Sequence, residues 1–384
     1  MDNFSFYNPV KILFGRGQIA AINAEIPAQA RVLMTYGGGS IRRNGVYAQV
    51  KAALGARHVA EFGGIEPNPA YETLMQAVAR VREEKLDFLV AVGGGSVLDG
   101  TKFIAAAVPY AGEPWDILAK GARFERALPL GSVMTLPATG SEMNTFAVIS
   151  RRGTQEKRAF GSPLVYPKFS VLDPETTFTL PPRQIANGVV DAFAHVLEQY
   201  LTYPASAPLQ DRFAEAILQT LVEEGPKALA NPRNYEARAN VMWCATMALN
   251  GLIAAGVPQD WTTHMIGHEI TAFYGLDHAQ TLAVIFPATL AVRRETKREK
   301  LLQYAERVWK IRKGAAGARI EGAIERTRAF FESLGVKTRL SDYGAGPEAA
   351  RAVAARFEAR GWTALGERQD VGPRQVAEIL ALCA

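Results

Sequence analysis

Only two cysteines occur in 384 residues: Cys244 in an apolar, helix-like stretch and Cys383 beside the C-terminus. There is no CxxC, so neither a disulfide framework nor a thiolate metal site organises this chain. Long runs of one charge are also missing. The net charge of +5 is diffuse, which argues against a nucleic-acid partner while tolerating a phosphorylated ligand. The opening MDNFSFYNPVKILFG lacks a basic segment followed by an apolar one, so a cytoplasmic protein is expected. Residues 241–257 are nearly uncharged, but Asn250, followed closely by Gln259 and Asp260, favours a buried helix over a bilayer span. No membrane partner is expected. Histidine is scarce too, at five, and four of these lie in one stretch: His195, His264, His268 and His278.

What is present is an ordinary globular composition, 48% hydrophobic and 21% charged, in a chain long enough for two or three domains. The first half alternates apolar runs with helical spacing. Strands are expected at Lys11–Phe14, Arg31–Tyr36, Val59–Phe62, Phe88–Val92, Ser132–Leu136, Phe146–Ser150 and Phe169–Leu172, with helices at Thr73–Glu84 and Ser96–Val108. This alternation predicts a parallel sheet covered on both faces by helices. After Leu180-Pro181-Pro182 only helical stretches follow, among them Gln184–Leu201, Tyr235–Ala255, Thr262–Phe273 and Ala279–Val292. The expected division is an α/β domain over 1–180 and an all-helical domain over 181–384.

Two Gly-Gly-Gly-Ser turns follow apolar strands. In the second, Gly93-Gly94-Gly95-Ser96 precedes a helix carrying Asp99 and Lys102, where free N–H groups and the helix dipole suit a phosphate. It matches neither common nucleotide fingerprint: position 98 is Leu98, and Thr101-Lys102 reverses the Walker order. The first, Gly37-Gly38-Gly39-Ser40, has Arg42 and Arg43 beside it and no local carboxylate. A carboxylate facing the 2′-phosphate of NADP would cost about 1–4 kcal/mol at ~4 Å, so its absence favours NADP over NAD. A third turn, Thr135 to Glu142, offers hydroxyls to the same ligand.

His195 follows Asp191 by four residues, and His268 follows His264 by four, so on helices each pair shares a face. Imidazoles with one carboxylate suit Zn²⁺ or Fe²⁺ rather than Mg²⁺ or Ca²⁺. Trp261, Phe273 and Tyr274 lie near these segments and suggest an apolar substrate pocket.

Four stretches together resemble the iron-containing (group III) alcohol dehydrogenase family over nearly the whole chain. They are GGGSVLDGTK (93–102), TLPATGSE (135–142), TLPPRQIANGVVDAFAHVLEQY (179–200) and HMIGHEITAFYGLDHAQTLAVIFP (264–287). GGGS (37–40) and FGGIEPNP (62–69) are similar to its NADPH-dependent aldehyde reductase and butanol dehydrogenase branch. The resemblance implies a Rossmann-like dinucleotide-binding domain followed by a helical metal-binding domain of the dehydroquinate synthase-like type. It implies one divalent metal, Zn²⁺ or Fe²⁺, on Asp191, His195, His264 and His278, with His268 nearby but not ligating. Pyrophosphate would rest on Gly94, Gly95 and Ser96, and the 2′-phosphate of NADP(H) would meet Gly38, Gly39 and Ser40 in the turn that Gly37 opens. Asn68, Thr135, Thr139 and Lys157 would complete the cofactor contacts, with Asp99 at the nicotinamide end.

The expected activity is metal-assisted hydride transfer between NADPH and small to medium aldehydes or primary alcohols, with His268 relaying a proton and Asp99 assisting. A homodimer is implied by the family. The rival readings are a lyase resembling dehydroquinate synthase and a glycerol-type polyol dehydrogenase. An anionic substrate would need basic residues by the metal, and 261–287 contains no Lys or Arg. A metal hydrolase or a non-catalytic binding module would leave the two glycine turns without a purpose.

Overall fold

The computed structural model describes residues 1–383. Its strands are β1 (Lys11–Phe14), β2 (Arg31–Tyr36), β3 (His58–Phe62), β4 (Phe88–Gly94), β5 (Leu130–Leu136), β6 (Phe146–Arg151), β7 (Glu156–Gly161) and β8 (Phe169–Leu172). Six form one all-parallel sheet in the order β1-β8-β5-β4-β2-β3. Helices cover both faces, which explains why β4 is apolar at successive positions rather than alternating. Leu89 and Ala91 enter the core built with the Tyr71–Glu84 and Gly95–Ala107 helices. Phe88, Val90 and Val92 enter the opposite core with Ile22, Val46, Val50 and Leu54. The period of two along the strand thus feeds two separate cores.

Two details differ from the sequence expectation. Phe146–Arg151 is not part of the parallel sheet: β6 pairs antiparallel with β7 in a separate hairpin. Glu-Lys-Arg-Ala-Phe-Gly in β7 carries three charges and no apolar alternation, so it gives no strand signal by itself. The helix beginning at Tyr235 ends at Ala248, not Ala255. Asn250 Oδ1 accepts the Leu252 backbone N–H at 3.0 Å, and Gly251 takes φ +90°, a turn that helical geometry forbids.

The chain divides into two compact units. The sheet unit comprises Tyr7–Leu180 together with Pro232–Thr246, whose Met242 belongs to the same core as Leu89 and Ala91. The helical unit comprises Met1–Phe6, Pro181–Asn231 and the chain from Met247 onward. It is built on the Pro182–Tyr200, Pro208–Ala230, Thr262–Tyr274 and His278–Val292 helices, followed by four more from Arg298. Pro182 stands in the first turn of its helix, where its missing N–H costs no hydrogen bond, and every side chain from Ile185 to Tyr200 is buried. Among the described residues no helix is long and apolar enough to cross a membrane.

Candidate functional site

In the sheet unit, strand order reverses direction between β2 and β4, the switch point at which open α/β sheets accept ligands. The two Gly-Gly-Gly-Ser turns leave these two strands side by side, since Tyr36 pairs with Val92. Gly94 ends β4 and Gly95 opens the next helix, with Ser96 in its first turn. A Cβ on Gly95 would stand 2.3 Å from Thr139 Oγ1, so only glycine lets the 135–142 turn come this close. Thr135 is buried on β5. Lys157, also buried, donates to Asn68 Oδ1 at 2.9 Å across 89 positions of sequence.

Asp99 is buried, and both of its oxygens are engaged: Ser141 Oγ donates to one at 2.7 Å and the Val148 N–H to the other at 2.9 Å. Burial raises its carboxyl above the usual range. Lys102, fully buried three residues on, donates to Asn144 O, Asn144 Oδ1 and Phe146 O at 2.8–3.0 Å, and burial pushes it down to about 8. These contacts tie the Gly95–Ala107 helix to the 144–146 segment.

The surroundings of Ser40 contain a carboxylate that the local sequence does not reveal. The register pairing Met34 with Glu61 brings in Glu61 from β3. It accepts from Arg42 Nη2 at 2.8 Å and from the Tyr47 hydroxyl at 2.6 Å, with Lys51 at 3.4 Å. Arg42 is therefore engaged by both Glu61 and Tyr36. Gly38, Ser40 and Arg43 are exposed, and a Cβ on Gly38 would meet nothing within 4 Å.

In the helical unit, ligand atoms of Asp191, His195, His264 and His278 all lie within 4.8 Å of one another. Three elements supply them. Asp191 and His195 sit one turn apart on the Pro182–Tyr200 helix, with His195 Nδ1 4.0 Å from Asp191 Oδ1. His278 opens its helix, and its Nε2 stands 3.7 Å from Asp191 Oδ1. That helix start is tied down by Asp277, which caps it and accepts from Asn187 at 2.8 Å, one turn before Asp191. His264 comes from the Thr262–Tyr274 helix. Gly267 on this helix lets it approach Thr281, whose Oγ1 would be 2.8 Å from an added Cβ. Donors about 2.1 Å from a tetrahedral ion stand roughly 3.4 Å apart, so the His278–Asp191 separation is already close to a bound geometry.

The chemistry of the donors fits such an ion. Burial pushes His195 down to about 4, with Asp191 opposing and His264 adding, so the imidazole is neutral and its lone pair is available. His195 Nδ1 is buried and makes no hydrogen bond. Glu198, one further turn along the same helix, is a functional side chain that the histidine and aspartate pattern does not include. Its Oε1 accepts the backbone N–H of His264 at 3.0 Å and faces His264 Nδ1 at 3.0 Å. An Nδ1–H donated there leaves Nε2 as the ligating atom. Burial raises the Glu198 carboxyl well above the usual range, with Asp260 adding.

His268 lies one turn beyond His264 with ring centres 6.5 Å apart, and 5.3 Å from the His278 ring; it is outside the set of four. Trp261 precedes the helix in a left-handed conformation, its ring 5.1 Å from His264 and 6.3 Å from His195. Phe273 is covered by the Arg356 guanidinium at 3.7 Å, and Tyr274 is exposed.

Residues 9–174 match the family model for iron-containing alcohol dehydrogenases, and residues 185–380 match the C-terminal model of the Fe-containing alcohol dehydrogenase family. The chain belongs to the iron-containing alcohol dehydrogenase family. It is 61% identical to the NADPH-dependent aldehyde reductase YqhD of Escherichia coli, with 97% of each chain covered. It is 42% identical to the probable NADH-dependent butanol dehydrogenase 1 of Bacillus subtilis, over 99% of each. The fold superposes on the crystal structure of Escherichia coli YqhD with TM-score 0.99, at 59% identity, covering 100% of this chain and 99% of that one. For NADH-dependent butanol dehydrogenase A of Thermotoga maritima the TM-score is 0.95 at 36% identity, with the same coverage.

Proposed function

We propose that this enzyme reduces small and medium aldehydes to primary alcohols with NADPH, in the cytoplasm, using one Zn²⁺ or Fe²⁺ held by Asp191, His195, His264 and His278. The observation that carries this reading is the clustered donor set, joined in one chain with two glycine turns at the switch point of a parallel sheet. The relatives include NADPH- and NADH-dependent enzymes, so the choice of cofactor rests on this chain's own turn. There Gly38 leaves room beside Ser40 and Arg43, and the Glu61 carboxylate is balanced by Arg42 and Lys51.

When bound, the divalent ion supplies Lewis acidity to a carbonyl oxygen and the reduced nicotinamide supplies the hydride. The protein's part is to orient and to move a proton. Gly94, Gly95 and Ser96 present the sheet end and helix start to pyrophosphate, with Thr139 against Gly95, while Asn68 holds the Lys157 ammonium for a ribose. Asp99 assists by holding the 141–148 segment against the helix rather than by proton transfer, since both its oxygens are already engaged. His268, beside the donor set but outside it, holds the proton that the product oxygen takes up, directly or through water.

The test is an NADPH-versus-NADH rate comparison on butanal, run beside His268→Ala. The reading requires faster oxidation of NADPH and slow turnover with unchanged metal content in the variant. Activity confined to a phosphorylated sugar acid without net NADPH oxidation would refute it. A homodimer is part of the proposal, supported by the exposed Phe14 on edge strand β1 packed edge-on against the exposed Trp243. Light scattering giving one chain mass would exclude it.

A further inference from the structure

Trp261 is the one bulky aromatic whose ring lies against two of the four proposed metal ligands among the described residues, edge-on to His264 and tilted on His195. Its backbone sits at φ +64°, ψ 5°, a left-handed conformation that bulky residues seldom adopt and that persists only when neighbours hold it. The neighbours are identifiable. Asp260 Oδ1 accepts the Thr262 N–H at 3.0 Å, and Asp260 Oδ2 is 2.8 Å from Lys297 Nζ. Lys297 is itself buried, donating also to Leu201 O at 2.6 Å and to Glu367 at 2.8 Å. The indole N–H is taken by Gln259 Oε1 at 2.8 Å, so the ring's orientation is fixed and its polar edge is spent. What remains is a half-buried apolar face next to the imidazoles. The other nearby aromatics do not offer this: Phe273 is stacked under Arg356 and Tyr274 is out in solvent.

We infer that Trp261 is a specificity-determining residue, the surface against which the hydrocarbon chain of the aldehyde lies while its carbonyl is at the metal ligands. The inference rests on the reductase reading above. A fixed apolar wall rewards each methylene laid on it, so wild-type kcat/KM should rise about fourfold per added carbon from propanal to hexanal, the factor expected for burying a CH₂ group. In Trp261→Ala the rise should fall below about 1.5-fold per carbon with metal content unchanged, while Trp261→Phe should keep most of it. A second readout is independent of turnover. Titration with the unreactive hexanamide should change the intrinsic fluorescence of the wild-type holoenzyme, and in Trp261→Phe, which retains four tryptophans, that change should vanish.

An unaltered chain-length slope in Trp261→Ala, or the same fluorescence change in Trp261→Phe, would overturn the inference. So would loss of the ion from Trp261→Ala, which would make the ring a support for His195 and His264 instead. Failure of the wild type to reduce any aldehyde would refute the reductase reading, and the fluorescence titration would then decide the contact alone.

Discussion

Glu198 holds His264 by both its backbone and its ring, with Oε1 3.0 Å from each nitrogen. The two bonds fix the imidazole's orientation and tautomer together, and the carboxylate is buried where water cannot replace it. Glu198→Ala should therefore lower metal affinity about 10- to 100-fold, measured by competition with a chelating dye. Glu198→Gln should lose less, because its amide oxygen accepts the same bonds. Equal affinity for wild type and the alanine variant would show that His264 is held by packing alone.

Gly267 sets how closely the His264 and His278 helices approach. Its added Cβ would fall 2.8 Å from Thr281 Oγ1, so Gly267→Ala must push the helices apart or rotate Thr281. The expected cost is about 1–3 kcal/mol in urea unfolding together with weakened metal binding. Retention of both would mean that Thr281 simply turns away.

Gly38 is open to substitution, with no atom near its Cβ and an ordinary backbone conformation. Gly38→Asp should fold normally and move cofactor preference from NADPH toward NADH by roughly 5- to 1,000-fold in the ratio of kcat/KM. That range is the repulsion of about 1–4 kcal/mol between a carboxylate and a 2′-phosphate at ~4 Å. An unchanged ratio would place the phosphate elsewhere.

Lys102 anchors the 144–146 segment through three acceptors, Asn144 O, Asn144 Oδ1 and Phe146 O. Lys102→Met should destabilise the protein by about 3–5 kcal/mol, because Asp99 and Glu142 would keep their burial and lose the nearest cation. The wild type also has a pH signature. With the folded value near 8 and the ordinary one at 10.5, the unfolded chain binds the extra proton between them. Stability contributed by this group therefore rises with pH across that window. A urea midpoint that is lower in Lys102→Met and no longer shows that rise is the expected result.

The sheet was legible where burial left a continuous apolar run, as in β4, and illegible where it did not, as in β7. The donor set was legible because scarce histidines at i+4 spacing are a local signal. Glu198 carries a local signal as well, since Asp191, His195 and Glu198 fall at i, i+4 and i+7 on one helix face. Glu61 had none. It reaches Arg42 only through the β2–β3 register, and no window of sequence around Gly37 contains it. The Lys297–Asp260 pair, 37 positions apart, is hidden for the same reason.

Metal stoichiometry of purified variants tests the central claim most directly. Elemental analysis should find one Zn²⁺ or Fe²⁺ per chain in the wild type and in His268→Ala, and none in His264→Ala or His278→Ala. An ion retained in His278→Ala, or lost from His268→Ala, would contradict the assignment of Asp191, His195, His264 and His278 as its ligands.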